Sequence, residues 1–237
     1  ETSADNGNHG LATGSVIMSS DDQKEDRVTG TAPNAELLPL RVTSPGWIRP
    51  APVLLLGGMR RLRKAIDWAV RENCKVISMS LGGPPSISVL KAVKRARDAG
   101  LIVLAAAGNY VRTVSWPARF DDVIAVAGCN AEKREWSGSC RGDSVDITAP
   151  AESVWCARIN KKDRKETVGQ GNGTSYAVAT LAGIAACWRA HHAVDIETNY
   201  SGEQIQEAFR YLVKTTANTD YLILGSVQAS STQAHSW

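Results

Sequence analysis

Residues 101–109 read LIVLAAAGN. Seven apolar residues follow one another without the polar alternation of a half-exposed strand, and Gly-Asn ends the run. A short apolar stretch of this kind is a strand buried on both faces. KVISMSLGG (75–83) and DDVIAVAGC (121–129) have the same character, and AELLPLRV (35–42) also reads as a strand. VDITAP (145–150) and SVWCAR (153–158) are shorter and are expected to extend the sheet. Helical patterns lie between these runs. RRLRKAIDWAVRENC (60–74) places Leu62, Ile66, Ala69 and Val70 on one stripe. In SISVLKAVKRARDAG (86–100), Val89, Ala92, Val93 and Ala96 share a face, and Gly100 fits a helix stop. SYAVATLAGIAACWRA (175–190) is apolar nearly all round, so it is expected to be buried. SGEQIQEAFRYLVKT (201–215) is amphipathic, with Ser201 as its cap. Apolar strands alternating with helices predict an α/β fold: a mostly parallel central sheet with helices on both faces. No linker divides the chain, which reads as one domain over residues 1–237.

Of the 237 residues, 43% are hydrophobic and 22% charged, and the net charge is +3. That balance gives no case for a nucleic-acid partner. No apolar run approaches the ~18 residues of a membrane span. The five cysteines, Cys74, Cys129, Cys140, Cys156 and Cys187, form no C-x-x-C pair, so a zinc site is not expected. One or two disulfides are compatible with the count of five, with Cys129, Cys140 and Cys156 as the candidates for one of them.

In a parallel sheet, sites gather at the carboxyl ends of the strands. Three stretches there stand out. In GNGTSYAVATLAG (171–183), Ser175 opens the buried helix, where the helix dipole favours developing negative charge. As an isolated feature such a serine would be a helix cap. In NHGLATG (8–14), His9 is the one histidine of four set among small residues. Asn109 closes the 101–109 run; it is either a turn residue or an amide that can hydrogen-bond an oxyanion.

Taken together, His9-Gly10, Ala106-Ala107-Gly108-Asn109 and Gly173-Thr174-Ser175-Tyr176-Ala177 resemble the motifs of the subtilisin-like serine proteases, the subtilase family. VTGTAPNAELLPLRV (28–42), ISMSLGG (77–83), SWPARFDDVIAVAG (115–128) and WSGSCRGDSVDITAP (136–150) resemble the intervening landmarks, in the family's order, over nearly all of residues 5–229. The resemblance implies a serine endopeptidase acting on polypeptides. Ser175 would be the nucleophile and His9 the general base, with Asn109 and the Ser175 N–H as the oxyanion hole. Ser80, Leu81 and Gly82 would pair with the substrate backbone. With Ala106, Ala107 and Gly108 they would wall the pocket for the residue before the scissile bond, and Ser115 would sit near its floor. Such a pocket implies broad specificity for an apolar side chain. No cofactor or metal ligand set is implied; members often bind structural calcium, but no acidic cluster here is assigned to it. A propeptide partner and secretion also follow from the resemblance alone.

The family order is Asp, His, Ser. Only eight residues precede His9, and Asp5 and Glu1 are the only acids among them. The expectation is an N-terminally incomplete chain, lacking the strand that carries the triad aspartate and acting weakly or not at all alone. The alternative reading is an inactive member of the same fold that binds peptides or proteins. Pro is usual four residues after the serine, where Ala179 stands, and Gly is usual at Ala151.

Overall fold

The computed structural model of the protein describes residues 6–20, 28–43, 56–160 and 163–216. Four strands, β1 (Val76–Met79), β2 (Ile102–Ala106), β3 (Ile124–Cys129) and β4 (Ile147–Pro150), form a parallel sheet in the order β1-β2-β3-β4. Helix α1 (Asn6–Met18) begins the described chain, and α2 (Leu56–Arg71) leads into β1. α3 (Ile87–Asp98) connects β1 to β2. After β4 come an antiparallel hairpin, β5 (Val154–Ile159) with β6 (Glu166–Gly171), and three helices: α4 (Thr174–His191), α5 (Ala193–Asn199) and α6 (Gly202–Thr216).

β2 explains why the sheet is covered on both sides. All five of its residues are buried. Val103 and Ala105 join the core under α2 and α3, with Ile66, Val89 and Val93. Ile102, Leu104 and Ala106 point the other way, into the core under α4 and α6, with Val178, Leu181 and Phe209. Strand alternation therefore feeds two cores from one apolar run. Burying a side chain such as Leu104 contributes about 1.5–3 kcal/mol. The buried face of α3 is Val89, Ala92, Val93 and Ala96, as its spacing predicts. Gly100 takes φ 84° just beyond the helix end. At the start of α6 the Gln204 N–H donates to Ser201 Oγ (3.3 Å) and the Ser201 N–H donates to Gln204 Oε1 (2.8 Å), a reciprocal cap.

Some expectations need correction. Residues 35–42 form no strand; they run as irregular chain with Leu37, Leu38 and Leu40 exposed. Their apolar residues have no strand beside them among the described residues, so no ladder forms. SVWCAR does not extend the central sheet. As β5 it pairs with β6, whose sequence ETVGQG carries too few apolar residues to read as a strand. All five cysteines are free thiols. The turn at Ala151 does not take a positive φ, so the missing glycine costs nothing there. Asp5 lies outside the described residues. Among the described residues no helix is long and apolar enough to cross a membrane.

Candidate active site

The site lies at the carboxyl ends of β1 and β2, where the N-terminus of α4 meets them. Gly173 precedes α4 at φ 154°, ψ 149°, a conformation open to glycine. A Cβ on Gly173 would lie 3.3 Å from Asn109 Nδ2, so the missing side chain also makes room for the Asn109 amide. Ser175 is the second residue of α4 rather than its cap, and it is 6% exposed.

Asn109 takes over the capping role from outside the helix. Its Oδ1 accepts from the Thr174 N–H (3.0 Å) and from Thr174 Oγ1 (2.8 Å). The first bond satisfies one of the orphan N–H groups of the helix start. Both bonds fix the amide's orientation, leaving Nδ2 beside Gly173 with no protein acceptor among the described residues. Thr174 Oγ1 also accepts from the Gly108 N–H (3.3 Å). One threonine hydroxyl thus ties the end of β2 to the start of α4.

His9 sits in the first turns of α1, a helix of small residues, and is half-buried. Ser80, just past β1, joins it to Ser175. Ser80 Oγ donates to the Ser175 carbonyl (3.1 Å), and a ring N–H of His9 donates to the Ser80 backbone carbonyl. Burial pushes the imidazole pKa below its ordinary value, and the Ser80 carbonyl offsets part of that shift. His9 Nε2 is buried without a hydrogen-bond partner.

Gly82, Gly108 and Ser115 also converge. A Cβ on Gly82 would come within 2.8 Å of Ser115 Oγ, and one on Gly108 within 3.1 Å of it. Ser115 is held there by two bonds to the Ala107 carbonyl, from its N–H (2.8 Å) and its Oγ (3.2 Å). The hydroxyl therefore stands between the ends of β1 and β2. Ala106 and Ala107 turn their side chains into the two cores, and Leu81 packs against the α2–α3 core. Ala106 and Ala107 are buried and can offer only backbone to a ligand, whereas Leu81 is half-buried.

Two residues escaped the reading of the sequence. Thr174 looked like part of the serine motif, and its bridging role needs the fold. Arg189 is 6% exposed, with Nε and Nη1 unpartnered, and it is the single charged side chain in an otherwise apolar or neutral helix up to that point. That isolation was its one signal.

The model of the subtilase family, Peptidase_S8, matches residues 1–233. Subtilisin DY of Bacillus licheniformis is 32% identical over 188 residues, which are 77% of this chain and 63% of the relative. Subtilisin E of Bacillus subtilis strain 168 is 31% identical over 212 residues, 86% of this chain and 51% of the relative. The chain thus spans about half to two thirds of the length of these curated relatives. Among solved structures, the protease domain of PatA, in a mutant form, superposes with TM-score 0.70 at 22% identity, over 87% of this chain and 74% of its own. Sphericase does so with TM-score 0.67 at 24% identity, over 86% and 68%. At those identities the structures speak for the fold, and it is the one described above. With the family's model matched across nearly its whole length, the chain belongs to the subtilase family of serine peptidases.

Proposed function

We propose that this chain carries the reacting groups of a serine endopeptidase, with Ser175 as nucleophile. The orientation of Asn109 carries the reading. Thr174 holds its oxygen, so its Nδ2 donor is presented beside the N-terminus of α4, where Ser175 sits.

The chemistry follows from these positions. Ser175 Oγ attacks the carbonyl carbon of the scissile peptide bond while its proton passes to the neutral His9 imidazole. Asn109 Nδ2 and the Ser175 N–H donate to the oxyanion, aided by the positive end of α4. Collapse breaks the C–N bond, and His9 returns the proton to the leaving amine. Water then repeats the cycle on the acyl-enzyme, with His9 again as base, and restores Ser175. His9 also needs a carboxylate on the ring nitrogen turned away from Ser175, to fix the tautomer and steady the imidazolium. No carboxylate of the described residues fills that role.

Polypeptide substrate would lie along Ser80–Gly82 as an added strand, with an apolar side chain before the scissile bond entering between Gly82 and Gly108. Ser115 would set the depth it can reach. Turnover of an internally quenched peptide library tests the reading: cleavage within the chain, lost in Ser175→Ala, is expected. Saturable binding with no turnover would instead favour an inactive, peptide-binding member of the family.

A further inference from the structure

α2 and α3 lie side by side on one face of the sheet, over the core that holds Ile66, Val89 and Val93. Each leads into a strand of a parallel sheet, so the two helices run in the same direction. Residues 56–98 hold ten lysines and arginines against three acids, a net charge of +7. The whole chain carries +3, so the rest of it is negative, at −4. Basic charge is therefore gathered on this layer rather than spread over the surface. Helical spacing puts Arg60, Lys64 and Arg71 on the outer stripe of α2, opposite the buried Leu62, Ile66 and Ala69. Lys91 and Lys94 take the outer stripe of α3, opposite Val89, Ala92, Val93 and Ala96. Asp67 stands between the helices. Its Oδ2 accepts from Arg63 Nη1 (2.9 Å) and its Oδ1 from Arg95 Nη2 (2.5 Å). One carboxylate thus clamps the two helices together and leaves one of those charges in excess. Among the described residues no carboxylate pairs with Arg60, Lys64, Arg71 or Lys91, and Lys94 has only Asp122 at 3.9 Å. Two large apolar side chains stand out among these cations. Trp68 is 47% exposed, with the Arg71 guanidinium 5.2 Å from its ring centre, and Ile87 is 74% exposed.

We propose that the outer face of the α2–α3 layer docks on an anionic lipid surface, with headgroup phosphates against Arg60, Lys64, Arg71 and Lys91 and with Trp68 and Ile87 set between the headgroups. The docking does not rest on the peptidase reading. A solvated basic face accounts for the cations but not for the two apolar side chains among them. A nucleic-acid duplex would meet the cations, but two helices lying flat present no element to enter a groove. At a bilayer both kinds of side chain are used: tryptophan is favoured at headgroup level, and lysine and arginine reach the phosphates. Each such cation near an anionic leaflet strengthens binding about fivefold, so several on one face act together. The face lies against the bilayer without spanning it. Ile87 is five residues beyond Gly82, so docking keeps the carboxyl end of β1 beside the lipid.

The test is sedimentation of the Ser175→Ala protein with vesicles, so that no cleavage enters the readout. Vesicles of equal parts phosphatidylcholine and phosphatidylglycerol should carry the protein down, and vesicles of phosphatidylcholine alone should not. Binding should weaken as salt is raised, because the attraction is screened. Lys64→Glu combined with Lys91→Glu should weaken binding by about 25-fold or more, at about fivefold for each cation lost. Arg164→Glu combined with Lys165→Glu changes the net charge by the same amount, just before β6. That hairpin packs on α1 and α1 on α4, across the sheet from α2 and α3, so this variant should bind nearly as the parent does. All four side chains are exposed, so neither pair of changes removes a core contact. Lipids brominated in the upper acyl chain should quench tryptophan emission, and part of that quenching should vanish in Trp68→Phe. Several results would overturn the assignment: no sedimentation with the anionic vesicles, equal binding to the neutral ones, equal losses in the two double variants, or quenching unchanged in Trp68→Phe. Tighter binding to duplex DNA at the same phosphate concentration would overturn it as well.

Discussion

β2 and β1 are neighbours in one sheet with similar sequences, yet they live in different surroundings. β2 has a strand on each side and a core on each face, and every residue of it is buried. Among the described residues β1 has a strand on one side only; Val76 and Ile77 are half-buried, Ser78 is exposed, and only Met79 is fully buried. Both strands end at the site, β2 with Asn109 and β1 with Ser80. β2 supplies rigidity and the fixed amide; β1 supplies the contact to His9 through Ser80. Apolar content announces a strand, but only its neighbours decide what it holds in place.

The sharpest way to break this contrast is to truncate the two strands in parallel. Leu104→Ala in β2 should lower unfolding free energy by about 2–5 kcal/mol, because both sides of the site are closed and the cavity cannot collapse. Ile77→Ala in β1 should cost less than half of that. Urea denaturation of both variants decides it; equal losses would mean that β1 is as fully supported as β2.

At the strand ends, Asn109→Ala should lower kcat by about 10²–10³-fold with little change in KM, because its Nδ2 donor acts on the oxyanion and not on the bound substrate. That magnitude comes from a subtilisin. Ser80→Ala removes a bond to a backbone carbonyl and should change kcat by less than tenfold. Steady-state kinetics on one fluorogenic peptide compares them, and a larger loss at Ser80 would reverse the ranking.

A smaller effect concerns pH. His9 must be neutral to act as base, and burial lowers its pKa from the ordinary 6.5. The acid limb of the kcat/KM profile of this chain is therefore expected below that value. Adding a carboxylate beside the ring should move the limb upward. An acid limb above 6.5 in the chain alone would show that a carboxylate already sits there.

The smallest change expected is at Ser115. Ser115→Gly removes the hydroxyl standing between Gly82 and Gly108. It should raise kcat/KM for Phe relative to Ala before the scissile bond by a few fold, as expected for added room of about one or two methylenes. Peptide pairs differing at that residue measure it; no shift would place the pocket elsewhere.

Much of the fold was legible because it rests on local periodicity. The buried face of α3, the two-sided burial of β2, the enclosed α4 and the Ser201 cap all follow from spacing and side-chain chemistry. What was hidden depends on partners distant in sequence. AELLPLRV has the composition of a strand, yet among the described residues no strand lies beside it to complete a ladder. ETVGQG has little apolar content, yet it pairs along all of β5 because Gly169 and Gly171 let Arg158 and Tyr176 pack over them. At the site, His9, Asn109 and Ser175 were visible as motifs. The two hydrogen bonds from Thr174 to Asn109 and the burial of Arg189 Nε and Nη1 without acceptors were not, since both are properties of a neighbourhood.

The most direct test of the central claim is intact-mass spectrometry after treatment with a fluorophosphonate. Ser175 Oγ would displace fluoride from phosphorus, with His9 taking the proton. The account predicts one phosphonyl adduct, mapped to the peptide containing Ser175, absent in Ser175→Ala and formed more slowly in Asn109→Ala. A folded protein that takes up no adduct, or one that keeps it in Ser175→Ala, would contradict the account.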